Sequence, residues 1–359
     1  MERILVKVGT NVLTQKDGKL NKERIAELVA QIAVLRKKAQ VILVTSGAVG
    51  AGREFRDLSK EKDPVIKKQM LAAIGQVRLF QVYAENCALQ GVLPAQALIT
   101  RYDFRQKEAY QNIQSTLEGL LQYDILPIIN ENDVVSSAET SFSDNDQLAA
   151  NTAVMMRCDL LVILSNIQGF FTADPSLNPN AKLISQVETV SPELLAYCQD
   201  SLSSGGTGGM LSKLKAAEMA AKHGVKTIVS SGLIERALTQ AVAPYFDKNA
   251  PKLGTTFLAK PKKSKIKKHW MTSHAEVAGV ITVDQGAVKA LKANKSLLVV
   301  GVLKARGNFA KGDVLMIEDE VGIRVGVGLS DHNQAELDQL IQSKPQGAVV
   351  IHKNQLYLL

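Results

Sequence analysis

The chain has 359 residues, 46% of them hydrophobic and 22% charged, a balance that suits folded soluble domains, at a length that calls for two of them. No apolar run nears the ~20 residues of a membrane helix, and the opening MERILVKVGTN is charged where a leader peptide would be apolar, so a cytoplasmic protein with no membrane segment is expected. The net charge of +8 is local: residues 260–268 hold six lysines, and without that run residues 259–359 carry nine basic and nine acidic side chains, which weighs against a broadly nucleic-acid-binding surface.

In chain order, apolar runs at 4–8, 41–44, 92–97, 125–129, 160–164 and 227–229 predict strands. Between them, amphipathic stretches at 22–38, 65–89, 107–121, 145–156 and 209–223 predict helices. The strands are continuous rather than alternating apolar runs, as in a sheet covered on both faces. The fold class is therefore α/β, an open, mostly parallel sheet sandwiched by helices. Past AKPKKSKIKKHW the regime changes to short β-type runs at 279–283, 297–302, 314–317 and 323–327, with one helical stretch at 285–293. The expected division is a domain of residues 1–258, a Lys-rich linker of 259–270, and a small mainly-β domain of 271–359.

Ligands of open α/β sheets bind beyond the carboxyl ends of the strands, and four polar segments lie there. In KVGTN, Lys7 interrupts an apolar strand; it either meets an anion or snorkels from an edge strand, and Gly9 lets a ligand approach the backbone. In VTSGAVGAG, a strand runs through Gly47, Gly50 and Gly52 towards a helix. That is an anion-binding geometry without the dinucleotide or P-loop spacing, or else an ordinary helix start capped by Ser46. IINENDVV and SFSDNDQLAAN gather Asn130, Asp133, Asp144, Asn145 and Asp146; they suit a cationic group, a metal-bound phosphate or a lysine pair, although the last three are also good helix caps. SSGGTGGMLSKLKAAEMA feeds a glycine-rich loop into a helix bearing Lys213, either a phosphate cradle or a solvated loop. SNIQGFFTADP reads as a hairpin or loop at the same edge.

Three cysteines, Cys87, Cys158 and Cys198, have no metal or redox spacing and read as buried thiols. No serine–histidine–acid set stands out; His223, His269 and His274 read as surface or linker residues, and Leu71, Ile74 and Val77 as a core stripe.

Together K-V-G-T-N, V-T-S-G-A, N-E-N-D, D-N-D and G-T-G-G-M-x-x-K resemble the amino-acid kinase superfamily, and within it the glutamate 5-kinase family. The stretches G-V-I-T-V-D-Q-G-A, S-L-L-V-V-G-V and G-N-F-A-K-G-D resemble a PUA domain. The resemblance implies phosphorylation of the glutamate γ-carboxylate by ATP with Mg²⁺, in proline biosynthesis. It implies that Lys7 and Lys213 contact the transferred phosphate and Asp146 orients both lysines. Ser46, Asp133 and Asn145 would hold glutamate, with backbone N–H groups of Gly47 and Ala48. Lys7, Gly9, Ser165, Asn166 and the loop of Thr207, Gly208, Gly209, Met210, Leu211, Ser212 and Lys213 would bind ATP. The departures are Ser165-Asn166, where relatives often read Thr-Asp, and Ser141, where some carry lysine. No metal ligand from the protein is implied. Proline as feedback inhibitor, a downstream glutamyl phosphate reductase, a homo-oligomer and RNA at the PUA-like domain are the partners it suggests. The rival readings are a kinase of acetylglutamate or aspartate on the same fold, an RNA-binding regulator, and a scaffold with a dead kinase domain.

Overall fold

The computed structural model describes residues 1–15, 17–54, 58–136, 144–173, 175, 178–200, 209–260 and 277–359. They divide into two compact units, Met1–Asp103 with Tyr110–Lys263, and Phe104–Ala109 with Ser264–Leu359.

In the larger unit the apolar runs become strands β1 (Glu2–Val8), β2 (Ala39–Val44), β3 (Pro94–Ile99), β4 (Leu126–Glu131), β5 (Leu160–Ser165), β6 (Gln186–Val187), β7 (Lys226–Ser231) and β8 (Thr255–Phe257). They form one sheet in the order β3-β4-β2-β1-β5-β7-β8-β6, parallel except where β8 runs against β7. The helices along residues 1–260 are α1 (Thr10–Leu13), α2 (Lys22–Arg36), α3 (Ala48–Arg53), α4 (Pro64–Leu89), α5 (Arg101–Arg105), α6 (Lys107–Gln122), α7 (Asn145–Met155), α8 (Pro192–Asp200), α9 (Met210–Lys222) and α10 (Ala237–Phe246), with Phe104–Ala109 of α5 and α6 grouped with the smaller unit. Ile4, Val6 and Val8 of β1 pack with Leu43, Val162 and Leu164 beneath Ile25, Leu28 and Ile32 of α2. Burial on both faces explains why the inner strands are apolar throughout. Strand β3 differs because it is the sheet edge, where Leu98 is exposed.

Helix α4 starts at Pro64 behind Asp63, whose carboxylate accepts the N–H groups of Val65 and Ile66, a strong N-terminal signal. Its buried side is Leu71, Ala72, Gly75, Leu79, Val82 and Tyr83, so the expected Leu71, Ile74 and Val77 stripe is corrected: Val77 is 68% exposed. The reason is glycine contact with α3. A methyl group added at Gly75 would fall on the carbonyl oxygen of Ala48, and one at Gly52 on that of Leu71. Without side chains between them the two helices touch backbone to backbone, which turns α4 away from the expected face.

The smaller unit holds β9 (Val277–Val283), β10 (Leu297–Leu298), β11 (Val302–Gly307), β12 (Val314–Asp319), β13 (Arg324–Leu329), β14 (Val349–Ile351) and β15 (Leu356–Leu358), with α11 (Gln285–Lys292) and α12 (Gln334–Ser343). Five strands make a sheet in the order β11-β9-β12-β13-β15, and β10 pairs with β14. Ile281, Val283, Leu315, Ile317 and Leu337 form its own core. The run expected as one strand over 297–302 is broken by a 3₁₀ turn at Val299–Gly301, where Gly301 lies too close to Ala287 of α11 for a side chain. The lysine run beyond Lys260, with His269 and His274, lies outside the described residues.

Candidate active site

Strand β1 is central, so Lys7 is no edge-strand lysine; it is buried, 3% exposed. Ile4, Val6 and Val8 turn to the α2 side, and the strand alternation sends Lys7 the other way, towards α7. There Asp144 caps the helix by accepting the N–H of Asp146, as its residue type prefers. Asp146, fully buried in the first turn, meets both cations: its Oδ1 is 2.5 Å from Lys7 Nζ, and its Oδ2 is 3.1 Å from Lys213 Nζ. Asp144 Oδ1 stands 3.9 Å from Lys7 Nζ. Lys213 arrives from α9, which packs on α7.

Burial opposes every charge in this cluster, and pairing decides each outcome. Burial alone would lower the Lys7 ammonium, but Asp146 and then Asp144 outweigh it and raise its pKa above 10.5. Asp146 is pushed up by burial yet held at about 2 by Lys7 and Lys213. Asp144 is lifted to about 6, first by burial and then by the charge of Asp146. Beside the Lys7 tip lies Gly9, where a side chain would sit 3.6 Å from Nζ.

The second cluster centres on Asn145, whose amide nitrogen donates to Thr45 O at 2.7 Å, Ser46 Oγ at 2.9 Å and Asn130 Oδ1 at 2.8 Å. Asn130 in turn donates to Gln76 Oε1 of α4 at 2.7 Å. Ser46 is therefore not the helix cap; that place belongs to Gly47, whose φ of +101° suits glycine, and Ala48 opens α3. Asp133 follows β4 in a turn and pairs with Lys68 of α4 at 3.0 Å.

On the other side of β1, Ser165 is buried at the end of β5 and donates to the exposed Asn166. Gly209 precedes α9, and among the described residues no side chain caps it; the amides of Met210 and Leu211 stand at the helix start, while that of Ser212 donates to Gly209 O. Thr207, Gly208 and Ser141 lie outside the described residues. The segment after Asn166 is a loop whose Phe171 bridges to Leu183.

Sequence reasoning gave no role to Lys68 or Gln76, placed Asn130 only in a general polar cluster, and weighed Asp144 chiefly as a cap. Lys68 and Gln76 carry no distinguishing signal, because α4 also bears Lys67, Gln69, Arg78, Gln81 and Glu85. Among the described residues no group of three His, Cys, Asp or Glu side chains could hold a metal, and no helix is long and apolar enough to cross a membrane.

Residues 2–231 match the family model of the amino acid kinase family, and residues 279–345 that of the PUA domain. A glutamate 5-kinase of Streptococcus sanguinis (strain SK36) is 39% identical over 356 residues, 98% of this chain and 95% of that protein. The chain belongs to the amino acid kinase family, in its glutamate 5-kinase branch. Another glutamate 5-kinase, from Caldanaerobacter subterraneus subsp. tengcongensis, is 40% identical over 94% of this chain and 90% of its own length. Among solved structures, an isopentenyl phosphate kinase shares the fold at a TM-score of 0.52, with 16% identity over 71% of this chain and all of its own. A carbamate kinase from Giardia lamblia does so at a TM-score of 0.50, with 17% identity over 72% of this chain and 99% of its own. The family fold thus occupies the larger unit, and a separate β-rich PUA domain follows it in sequence.

Proposed function

We propose that this chain transfers the γ-phosphoryl group of ATP to the side-chain carboxylate of L-glutamate, the first step of proline biosynthesis. The observation that carries the reading is the pair of buried lysines held on opposite oxygens of Asp146. A glutamate γ-carboxylate, with an ordinary pKa of ~4.3, is already ionised at neutral pH and needs no general base. Its oxygen forms the new bond to phosphorus, while the bond from phosphorus to the bridging oxygen breaks and its electron pair leaves with ADP. The obstacle is bringing one anion against another, so positioning and charge neutralisation carry the rate. Lys7 and Lys213 supply that charge at the migrating group, and Asp146 fixes their spacing.

The backbone amides at the start of α9, with Ser165 and Asn166, suit the nucleotide phosphates and their approach. Ser46, Asn145 and the turn at Gly47 and Ala48 suit the acceptor carboxylate, and Asp133 its α-ammonium. The divalent ion that accompanies ATP is taken as Mg²⁺, which retains waters and rides on phosphate oxygens with one or two carboxylates. Asp144 fits that pattern, since its buried Oδ2 has no hydrogen-bond partner among the described residues. The ion's chemistry is to neutralise charge on the phosphate oxygens. As parts of the same proposal, the domain boundary lies in 259–270, and the protein is cytoplasmic and homo-oligomeric. Proline inhibits it, and its labile product passes to glutamyl phosphate reductase.

Trapping with hydroxylamine tests the reaction. Glutamate with ATP should give a hydroxamate, whereas aspartate and N-acetylglutamate should give little, because the latter lacks the ammonium that Asp133 calls for. A faster reaction with either competitor would move the chain to another substrate.

A further inference from the structure

An α-amino acid presents a cation and an anion on one carbon, and a site that reads it needs a partner for each. Lys7 and Lys213 are engaged with Asp146, so neither is free to hold the α-carboxylate while serving the phosphoryl group. Lys68 stands elsewhere, with its Nζ 3.0 Å from Asp133 Oδ1. The pair is asymmetric: the Asp133 side chain is 14% exposed and that of Lys68 is 56% exposed, so the aspartate is set into the wall and the lysine reaches over it from solvent.

The position of Lys68 is not a matter of a loose side chain alone. Helix α4 is fixed against α3 by the contacts of Gly75 and Gly52. On the same helix Gln76 holds Asn130, which holds Asn145, and Gln69 donates to Ser136 O just beyond Asp133. One rigid element thus lines the amino-acid side from Lys68 to Gln76. An ordinary exposed ion pair of this kind is worth at most about 1 kcal/mol to stability, so stability is a weak reason for it.

We propose that Lys68 receives the substrate's α-carboxylate, and that Lys68 and Asp133 form a dipolar clamp for the head group of an α-amino acid. This rests on the reading above in which Asp133 faces the α-ammonium. With no ligand, Lys68 neutralises Asp133. When the zwitterion enters, its ammonium takes the Asp133 carboxylate and its carboxylate takes the Lys68 ammonium, so four charges alternate in sign. The clamp explains how a site with two phosphate-directed lysines avoids binding glutamate backwards, because the α-carboxylate has its own cation.

The test is calorimetric binding of L-glutamate and L-isoglutamine, which keeps the γ-carboxylate and ammonium but carries an α-carboxamide, to the full chain and to Lys68→Met and Lys68→Arg. Wild type should favour glutamate by about 10- to 100-fold, the worth of one charge-assisted contact. Lys68→Met should bring that ratio close to one, and Lys68→Arg should restore part of it. A ratio unchanged by Lys68→Met, or no preference in wild type, overturns the clamp. Turnover is read separately: glutamate bound with the expected ratio but no acyl phosphate formed would refute the proposed reaction and leave the clamp standing.

Discussion

Replacing Asp146 with asparagine tests the physical core of the site. The substitution keeps shape and removes one charge, leaving Lys7 and Lys213, both buried, without the carboxylate that joins them. Breaking a buried ion pair by neutralising one partner costs about 3–5 kcal/mol, a large share of the ~5–15 kcal/mol that holds a domain together. Urea unfolding of the full chain, with the kinase-domain transition fitted separately, reads the loss. A double-mutant cycle with Lys7→Met isolates the pairwise part: removing Lys7 should cost far less once Asp146 is gone, by a coupling of roughly 2–3 kcal/mol. The pH dependence gives a second signature. Burial pushes the Lys7 pKa down and Asp146 is the main opposing influence. In Asp146→Asn the folded-state pKa therefore falls below the unfolded 10.5, so the folded form binds fewer protons and stability rises with pH up to that value. The deficit against wild type should therefore narrow as pH rises towards 10.5. An additive cycle with a deficit flat in pH would refute the account of Asp146 as the charge that holds the two lysines.

Lys7→Ala and Lys213→Ala should each lower turnover by roughly two to three orders of magnitude while calorimetry still detects glutamate binding; near-normal turnover would contradict their role. Gly75→Ala should destabilise the chain severely, because its methyl group meets the Ala48 carbonyl, whereas Gly119→Ala on α6, with nothing within 4 Å, should raise stability by about 0.5–1 kcal/mol; thermal melts of the pair check the α3–α4 contact. Asp144→Asn keeps the helix cap but removes a carboxyl held at about 6 against an ordinary 3.8. Since the folded state favours its protonated form, wild type loses stability as pH rises from about 4 to 6, by up to roughly 3 kcal/mol. The melting temperature of Asp144→Asn relative to wild type should climb over that window and then level off.

The inner strands were legible because both faces are buried: the runs at 4–8 and 160–164 sit within the observed β1 and β5. Helix α4 was legible as the amphipathic stretch at 65–89, but its orientation was not. Periodicity locates an apolar face, whereas a glycine that permits backbone contact leaves no hydrophobic trace at Gly75. Short elements such as β6, β8 and α1 escaped because so few residues carry no periodic signal. The run at 297–302 misled for a related reason, since an apolar string reads alike as a strand or as a turn packed on a helix. In the site, Lys7 was visible as a charge inside an apolar strand. Its meeting with Lys213 was implied only by resemblance, because no spacing rule links β1 to α9.

That meeting follows from strand order. In a parallel sheet every strand delivers its last residues to one edge, and the loop or helix start after it adds a backbone anion site or a polar cap. Here β4 and β2 bring Asn130, Asp133 and Ser46 to one side, and β5 brings Ser165 to the other. Between them lies β1, which brings Lys7. An amino acid held on the β4–β2 side and a nucleotide on the β5 side can meet only over β1, and that is where the lysine must be. The cation is costly to bury in advance of substrate, and Asp146 meets that need; two lysines against Asp144 and Asp146 leave the cluster balanced. On the proposed reading, a site that attracts two anions is thus kept neutral in advance of them, and its selectivity comes from placement rather than from excess positive charge.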